Sequence, residues 1–178
     1  ISLDFWIGKA NDPVLSSKYY NWEGGILRNG TVWSSLGHSM LLSITCALIA
    51  GTCGLLLGYG IVKKKHSKLS KVVNTLSFIP YLIPSMAFGM AYTVKIGALY
   101  GSFLLLAIVG SIKYMPFATK SSTGAMMQLS GEIEEAAILT GTPWWKRMVK
   151  IIFPIQKSSF LSGYLLPFIS CMRELSLF

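Results

Sequence analysis

Long uncharged stretches alternate with short charged ones along this chain. No Lys, Arg, Asp or Glu occurs from Asn29 to Val62, from Val72 to Val94, or from Ile96 to Ile112. The third run extends to Ala118 if Lys113 snorkels toward the surface along its apolar stem. A fourth begins after Lys157, as SSFLSGYLLPFISCM, and continues past Arg173 and Glu174. About 20 apolar residues cross a bilayer. The pattern therefore predicts an all-α, polytopic helical bundle with four transmembrane spans, at 36–62, 72–94, 98–118 and 158–178. A soluble bundle hides one such helix, not three or four in succession. Pro80 and Pro84, in FIPYLIPSMAFG, predict a kink or a late start in the second span, because proline breaks the backbone ladder.

Composition agrees with a membrane protein. Of 178 residues, 52% are hydrophobic and 13% charged, where a soluble domain carries about 25% charge. Five Trp, eight Tyr and nine Phe suit the aromatic belts of membrane interfaces. The net charge of +9 calls for an anionic neighbour, and its placement says which. KKKHSKLSK (63–71) holds five lysines, and Lys120, Lys146, Arg147, Lys150 and Lys157 fall in 119–157. Between the second and third spans stands only Lys95, and residues 1–33 balance three bases against three acids. The positive-inside rule then puts both basic loops in the cytoplasm and the 1–33 lead-in outside. Topology accounts for most of the charge, so no nucleic-acid partner is needed.

ISLDFWIGK is no signal peptide. It lacks an initiator Met, and the chain stops within an apolar run, so residues 1–178 are expected to be one domain with both ends missing from a longer chain. Cys46, Cys53 and Cys171 lie in apolar stretches without metal-ligand spacing and read as small buried hydrophobes. His38 is expected at the outer interface and His66 in the cytoplasmic turn.

Small residues recur at helical spacing in the first span: Ala50, Gly54 and Gly58, with Ala47 and Gly51 on an adjoining row. Such rows let helix backbones approach closely, either at a tight crossing or subunit contact, or in ordinary packing within one chain. In the 119–157 loop, Ser130 reads as an N-cap, followed by Glu132, Glu134 and Glu135 where negative charge complements a helix dipole. Gly141 and Pro143 stop that helix after about two turns. A helix this short needs outside support. Its alanines, Ala136 and Ala137, give it a low-relief face that could enter a groove on another protein. WWKRMVKIIF then reads as an amphipathic rod at the membrane surface, bent by Pro154 toward the fourth span. Arg173 and Glu174 are ionisable residues within a span, which are costly and often functional. They either line or gate a pathway near its outer half, or form a structural or interfacial pair.

The loop resembles the cytoplasmic signature of permease subunits from binding-protein-dependent ABC importers. That signature is Glu-Ala-Ala, three residues, Gly, nine residues, Ile, one residue, Leu-Pro. Here Glu135-Ala136-Ala137, Gly141, Ile151 and Phe153-Pro154 keep every spacing, with Phe153 replacing the usual Leu. The resemblance implies a helical permease domain that pairs with a second one, whether a copy, a paralogue or a fused half. It implies an extracytoplasmic substrate-binding protein and a cytoplasmic ATPase dimer that holds ATP and Mg, in a bacterial inner membrane. The residues it assigns to ATPase docking are Glu134, Glu135, Ala136, Ala137, Leu139, Gly141, Ile151 and Pro154. FISCMRELSLF and the ISLDFWIG lead-in are similar to the ferric-iron branch, while related branches carry phosphonate, polyamine, thiamine or oxyanions. A binding protein would hold the ion, so no metal site is expected in this chain. No GxxxxGK[ST] is present, so the chain is expected to bind no nucleotide or other cofactor and to catalyse nothing itself. The competing classes are a membrane-embedded enzyme, for which only Arg173 and Glu174 offer chemistry, and a non-transport membrane adaptor.

Overall fold

The computed structural model describes residues 3–9, 24–95, 102–129 and 131–174. Two compact units divide the chain at Leu41. In the first, α1 (Asp4–Ile7) is followed by a return segment in which the Gly25 amide donates to Gly8 O at 2.9 Å and the Leu27 amide to Trp6 O at 3.0 Å. Asn29 Oδ1 accepts from the Thr31 amide at 2.9 Å, capping the start of α2 (Gly30–Lys63).

The second unit holds the rest of α2 and everything after it. α3 (Lys68–Leu76) is capped by Ser67, and Ser70 Oγ ties it back by donating to Ile61 O at 2.7 Å. Two short pieces follow: α4 (Ile79–Leu82), with Pro80 in its first turn where no N–H is needed, and α5 (Ser85–Lys95). Lys68–Leu82 and Ser85–Tyr92 meet at 100°. Pro84 causes this break, because it pushes Ile83 out of the helical region into an extended conformation. The expected 72–94 span is thus a broken element, sharper than a kink.

α6 (Phe103–Gln128) starts at the Ser102 cap and is the spine of the unit. It runs well beyond the expected 98–118 span, so the first part of the expected 119–157 loop is helix. Next come α7 (Gly131–Leu139) and α8 (Trp144–Arg147). A π-helical turn at Met148–Ile152 then leads into α9 (Phe153–Ile155) and α10 (Lys157–Arg173). The expected rod is thus one continuous helical run, Trp144 to Ile155, with a π turn inside it. The wide π turn sits directly ahead of Pro154, whose ring clashes with the carbonyl four residues back in a regular helix. Ser130, residues 96–101 and residues 175–178 carry parts of the sequence-based expectations and lie outside the described residues.

Among the described residues, two helices are long and apolar enough to cross a membrane, or three if the broken pair counts as one span. They are α2 and α6; α10, with 17 residues, is about 26 Å long. Four separate spans are thus not shown. Hydroxyls and thiols link α2 to α6: Ser122 Oγ donates to Leu55 O at 3.1 Å, and Ser111 Oγ to Cys46 O at 3.3 Å. Ser121 Oγ links α6 to α10 by donating to Ser159 O at 2.6 Å. Cys46 and Cys171 are buried as expected, but Cys53 is exposed on the outer face of α2.

Candidate functional site

The helix crossing comes first, because it positions everything else. Ala50 is buried in α2. A Cβ placed on Gly54 would stand 2.5 Å from Ala118 Cβ, and one on Gly58 would stand 2.6 Å from Ser122 Cβ. Both glycines therefore face α6 of the same chain. Gly51 faces the Tyr164 ring of α10.

At the cytoplasmic end expected from the charge pattern, α7 is bolted to α2. Glu134 Oε1 accepts from Tyr59 at 2.6 Å. It lies 3.0 Å from Lys63 Nζ and 3.7 Å from Arg147 Nη2. Leu55, Ala125, Met126, Met148, Ile152 and Phe160 pack into one cluster, with Tyr59 and Trp144 against it. The Glu134 contacts tie the two-turn helix to elements that this cluster holds together. The helix stop is a Schellman motif: the Gly141 amide donates to Ile138 O at 2.9 Å and the Thr142 amide to Ala137 O at 3.2 Å. Gly141 takes the positive φ, +69°, that this motif needs.

The residues expected to dock thus divide. The Glu134 carboxylate turns into its own chain and Ala137 is buried. Glu135, Ala136, Gly141 and Pro154 are exposed, and Ile151 is half-buried. Leu139 is 88% exposed, with Ile138 beside it. Tyr59, Lys63 and Arg147 were not legible as partners of Glu134, since Tyr59 lies 75 residues away in sequence.

Burial pushes the Glu134 carboxyl up, but the Tyr59 hydroxyl, the Lys63 ammonium and the Arg147 guanidinium together hold it below the usual glutamate range. A depressed carboxyl contributes stability above its unfolded pKa and loses it as pH falls through the folded one. At neutral pH, Glu134→Gln is expected to raise amide exchange across 131–141 several-fold. Below the ordinary glutamate value of 4.5 the wild type should follow, and the two should converge. A difference that persists at about pH 3, after correction for intrinsic exchange, would mean that the carboxylate is not what holds α7.

A second site is an open cleft between the bend, α6 and the end of α10. A cavity of 540 Å³ is bounded by the bend at Ile83, Pro84 and Ser85, by Lys113 and Tyr114 of α6, and by Ser170, Arg173 and Glu174 at the end of α10. Lys113 does not snorkel: it is 4% exposed. Its Nζ donates to Ser85 Oγ and lies 3.7 Å from Glu174 Oε2. The Tyr114 hydroxyl donates to the same carboxylate oxygen. Glu174 therefore pairs across to α6, while Arg173 stands exposed at the cavity wall. Arg173 and Glu174, singled out in the sequence, both border this cavity, and Lys113 is misplaced by the sequence reading. The missed signal was a lysine ten residues into what is a 26-residue helix.

Residues 50–178 match the family described as binding-protein-dependent transport system inner membrane component. The chain is 26% identical over 144 residues to the glycine betaine/carnitine transport permease protein GbuB of Listeria monocytogenes, covering 78% of this chain and 47% of that protein. Against the phosphate transport system permease protein PstA of Mycobacterium leprae, identity is 25% over 142 residues, covering 77% and 46%. Against the ferric transport system permease protein FbpB of Actinobacillus pleuropneumoniae it is 23% over 148 residues, covering 81% and 21%. The chain spans about half the length, or less, of these curated relatives.

Proposed function

The chain belongs to the family of binding-protein-dependent transport system inner membrane components, integral membrane transport subunits and not enzymes, and from that premise we propose that it is the permease of an ATP-driven importer. It forms a translocation pathway with a second permease domain. A substrate-binding protein delivers cargo from outside, and a cytoplasmic ATPase dimer, carrying ATP and Mg, drives the switch between inward-open and outward-open states. The chain docks to that ATPase through α7.

The observation that carries this reading is the division of labour on α7. One side is fixed to α2 and Arg147 through Glu134. Ile138 and Leu139 project outward just ahead of the glycine stop. A knob held on a stiff mount transmits displacement; a loose connecting loop would not. Ferric iron is the first cargo reading, supported by the FISCMRELSLF resemblance and by the ferric transport relative. Phosphate and glycine betaine/carnitine, carried in the names of the other relatives, are the alternatives.

The test uses the complete chain, co-expressed with its ATPase and reconstituted in lipid. Cargo-loaded binding protein is expected to stimulate ATP hydrolysis more than empty binding protein does. Leu139→Arg should cut that stimulation roughly 10-fold or more, as loss of an apolar anchor does at an interface hot spot, without reducing membrane insertion. A complex that forms without an ATPase, or full stimulation with Leu139→Arg, would defeat the docking reading.

A further inference from the structure

We propose that the Lys113 cavity is a binding site for a small anion, and that Glu174 is the counter-ion the anion displaces. As a statement about cargo this rests on the permease reading; as a statement about the cavity it stands on geometry.

Lys113 sits about 15 Å along α6 from Phe103, buried within an apolar helix. A buried ammonium needs a partner, since charge there is costly. Its nearest carboxylate oxygen, on Glu174, is 3.7 Å away, longer than the roughly 2.7–2.9 Å of a direct charge-assisted hydrogen bond. Ser85 accepts one of the three donors that an ammonium offers. The pairing is therefore loose, and the lysine is set up to take a better acceptor.

The rest of the wall favours negative charge. Among the described residues of the wall, two cations, Lys113 and Arg173, stand against the single carboxylate of Glu174. Hydroxyls of Ser85 and Ser170 line the same space, and each can donate to an oxygen, while the Tyr114 hydroxyl is held by Glu174. The volume of 540 Å³ compares with about 30 Å³ for one water in the liquid. A tetrahedral oxyanion fits with part of its hydration shell. A bare multivalent cation meets two positive charges; a ferric cargo would have to pass as an anionic complex.

Displacement also has a mechanical consequence. Glu174 ends α10, Ser85 opens α5, and Lys113 belongs to α6. An anion that takes Lys113 from Glu174 removes one of the two contacts from α6 to that carboxylate and leaves the Tyr114 hydrogen bond as the tie at the end of α10. Occupancy of the cavity and the position of that helix end are thereby linked.

Charge-selective labelling tests this without knowledge of the cargo. Ser170→Cys is placed in the complete chain in lipid, and the parent chain's own thiol reaction is subtracted. The probes are the anionic ethylsulfonate and the cationic ethyltrimethylammonium methanethiosulfonates, each rate normalised to free cysteine. The anionic probe should be favoured by about 10-fold or more, the lower end of what a charged cleft does to local concentration. Millimolar sulfate should slow it. Lys113→Gln should remove most of the preference. Arg173→Gln, on an exposed residue, should reduce it even if the lysine variant fails to fold. A cationic preference, no preference, no labelling by either probe, or a preference unchanged in Arg173→Gln would overturn the site. ATPase co-purification is scored on the same preparation. Assembly without anion preference sinks the anion site alone, and anion preference without assembly sinks the permease reading alone.

Discussion

Gly54→Leu is expected to leave little or no folded protein in the membrane. Even the first carbon of that side chain would lie 2.5 Å from Ala118 Cβ, 2.8 Å from the Thr119 amide nitrogen and 2.9 Å from the Ala118 carbonyl carbon. Two of these three atoms are backbone, so no rotamer change makes room. Relief requires α2 to move off α6, and that movement breaks the Ser122–Leu55 and Ser111–Cys46 hydrogen bonds. Overpacking a tight core costs about 1–3 kcal/mol for modest insertions, so Gly54→Ala should already lower stability within that range. Leucine adds three more carbons. Gly60→Leu is the matched control, because nothing lies within 4 Å of a Cβ there. Detergent-solubilised yield and the thermal midpoint by size exclusion are the readouts. Equal behaviour of the Gly54 and Gly60 leucine variants would mean that α2 and α6 do not cross so closely.

Gly141→Asp is expected to insert and fold, yet to lose most cargo-stimulated ATP hydrolysis, on the order of 10-fold as for a disrupted interface anchor. Nothing lies within 4 Å of a Cβ at Gly141, so the side chain itself meets no wall. Two other effects remain. A non-glycine residue at a φ of +69° costs roughly 1–2 kcal/mol, and a carboxylate would stand beside the exposed Leu139. Gly141→Asn separates them, since asparagine tolerates the left-handed region and carries no charge. If Asn retains coupling and Asp loses it, charge at the docking face is the cause. If both fail together with rising exchange in α7, the Schellman stop is the cause. If both couple normally, α7 is not the contact that transmits ATP-driven motion.

Much of this was legible in one dimension. An uncharged run from Asn29 to Val62 can be buried in lipid whatever its neighbours are. Gly141 followed by Pro143 ends a helix by local backbone chemistry, and the expected left-handed glycine is present. The Glu-Ala-Ala spacing is likewise a linear signal. Pro84 announced a break but not its size, because a proline removes a hydrogen bond and the surrounding packing sets the angle.

The charge pairs were not legible. Lys113 stands at the edge of an apolar run, and from there an ammonium can either reach toward water or turn inward. Which it does depends on whether a carboxylate arrives, and Tyr114 and Glu174, which bracket that question, are 60 residues apart. Glu134 posed the same problem: its helix position suggested an outward, partner-seeking carboxylate until Tyr59 and Lys63 were brought beneath it. Hydrophobic periodicity and turn chemistry are properties of neighbouring residues, so the sequence by itself determined the membrane class, the helix stop and the Glu-Ala-Ala spacing. Partner choice for a buried charge depends on which helix faces cross. Here the tertiary structure decided it, through glycines that let α2 lie directly against α6.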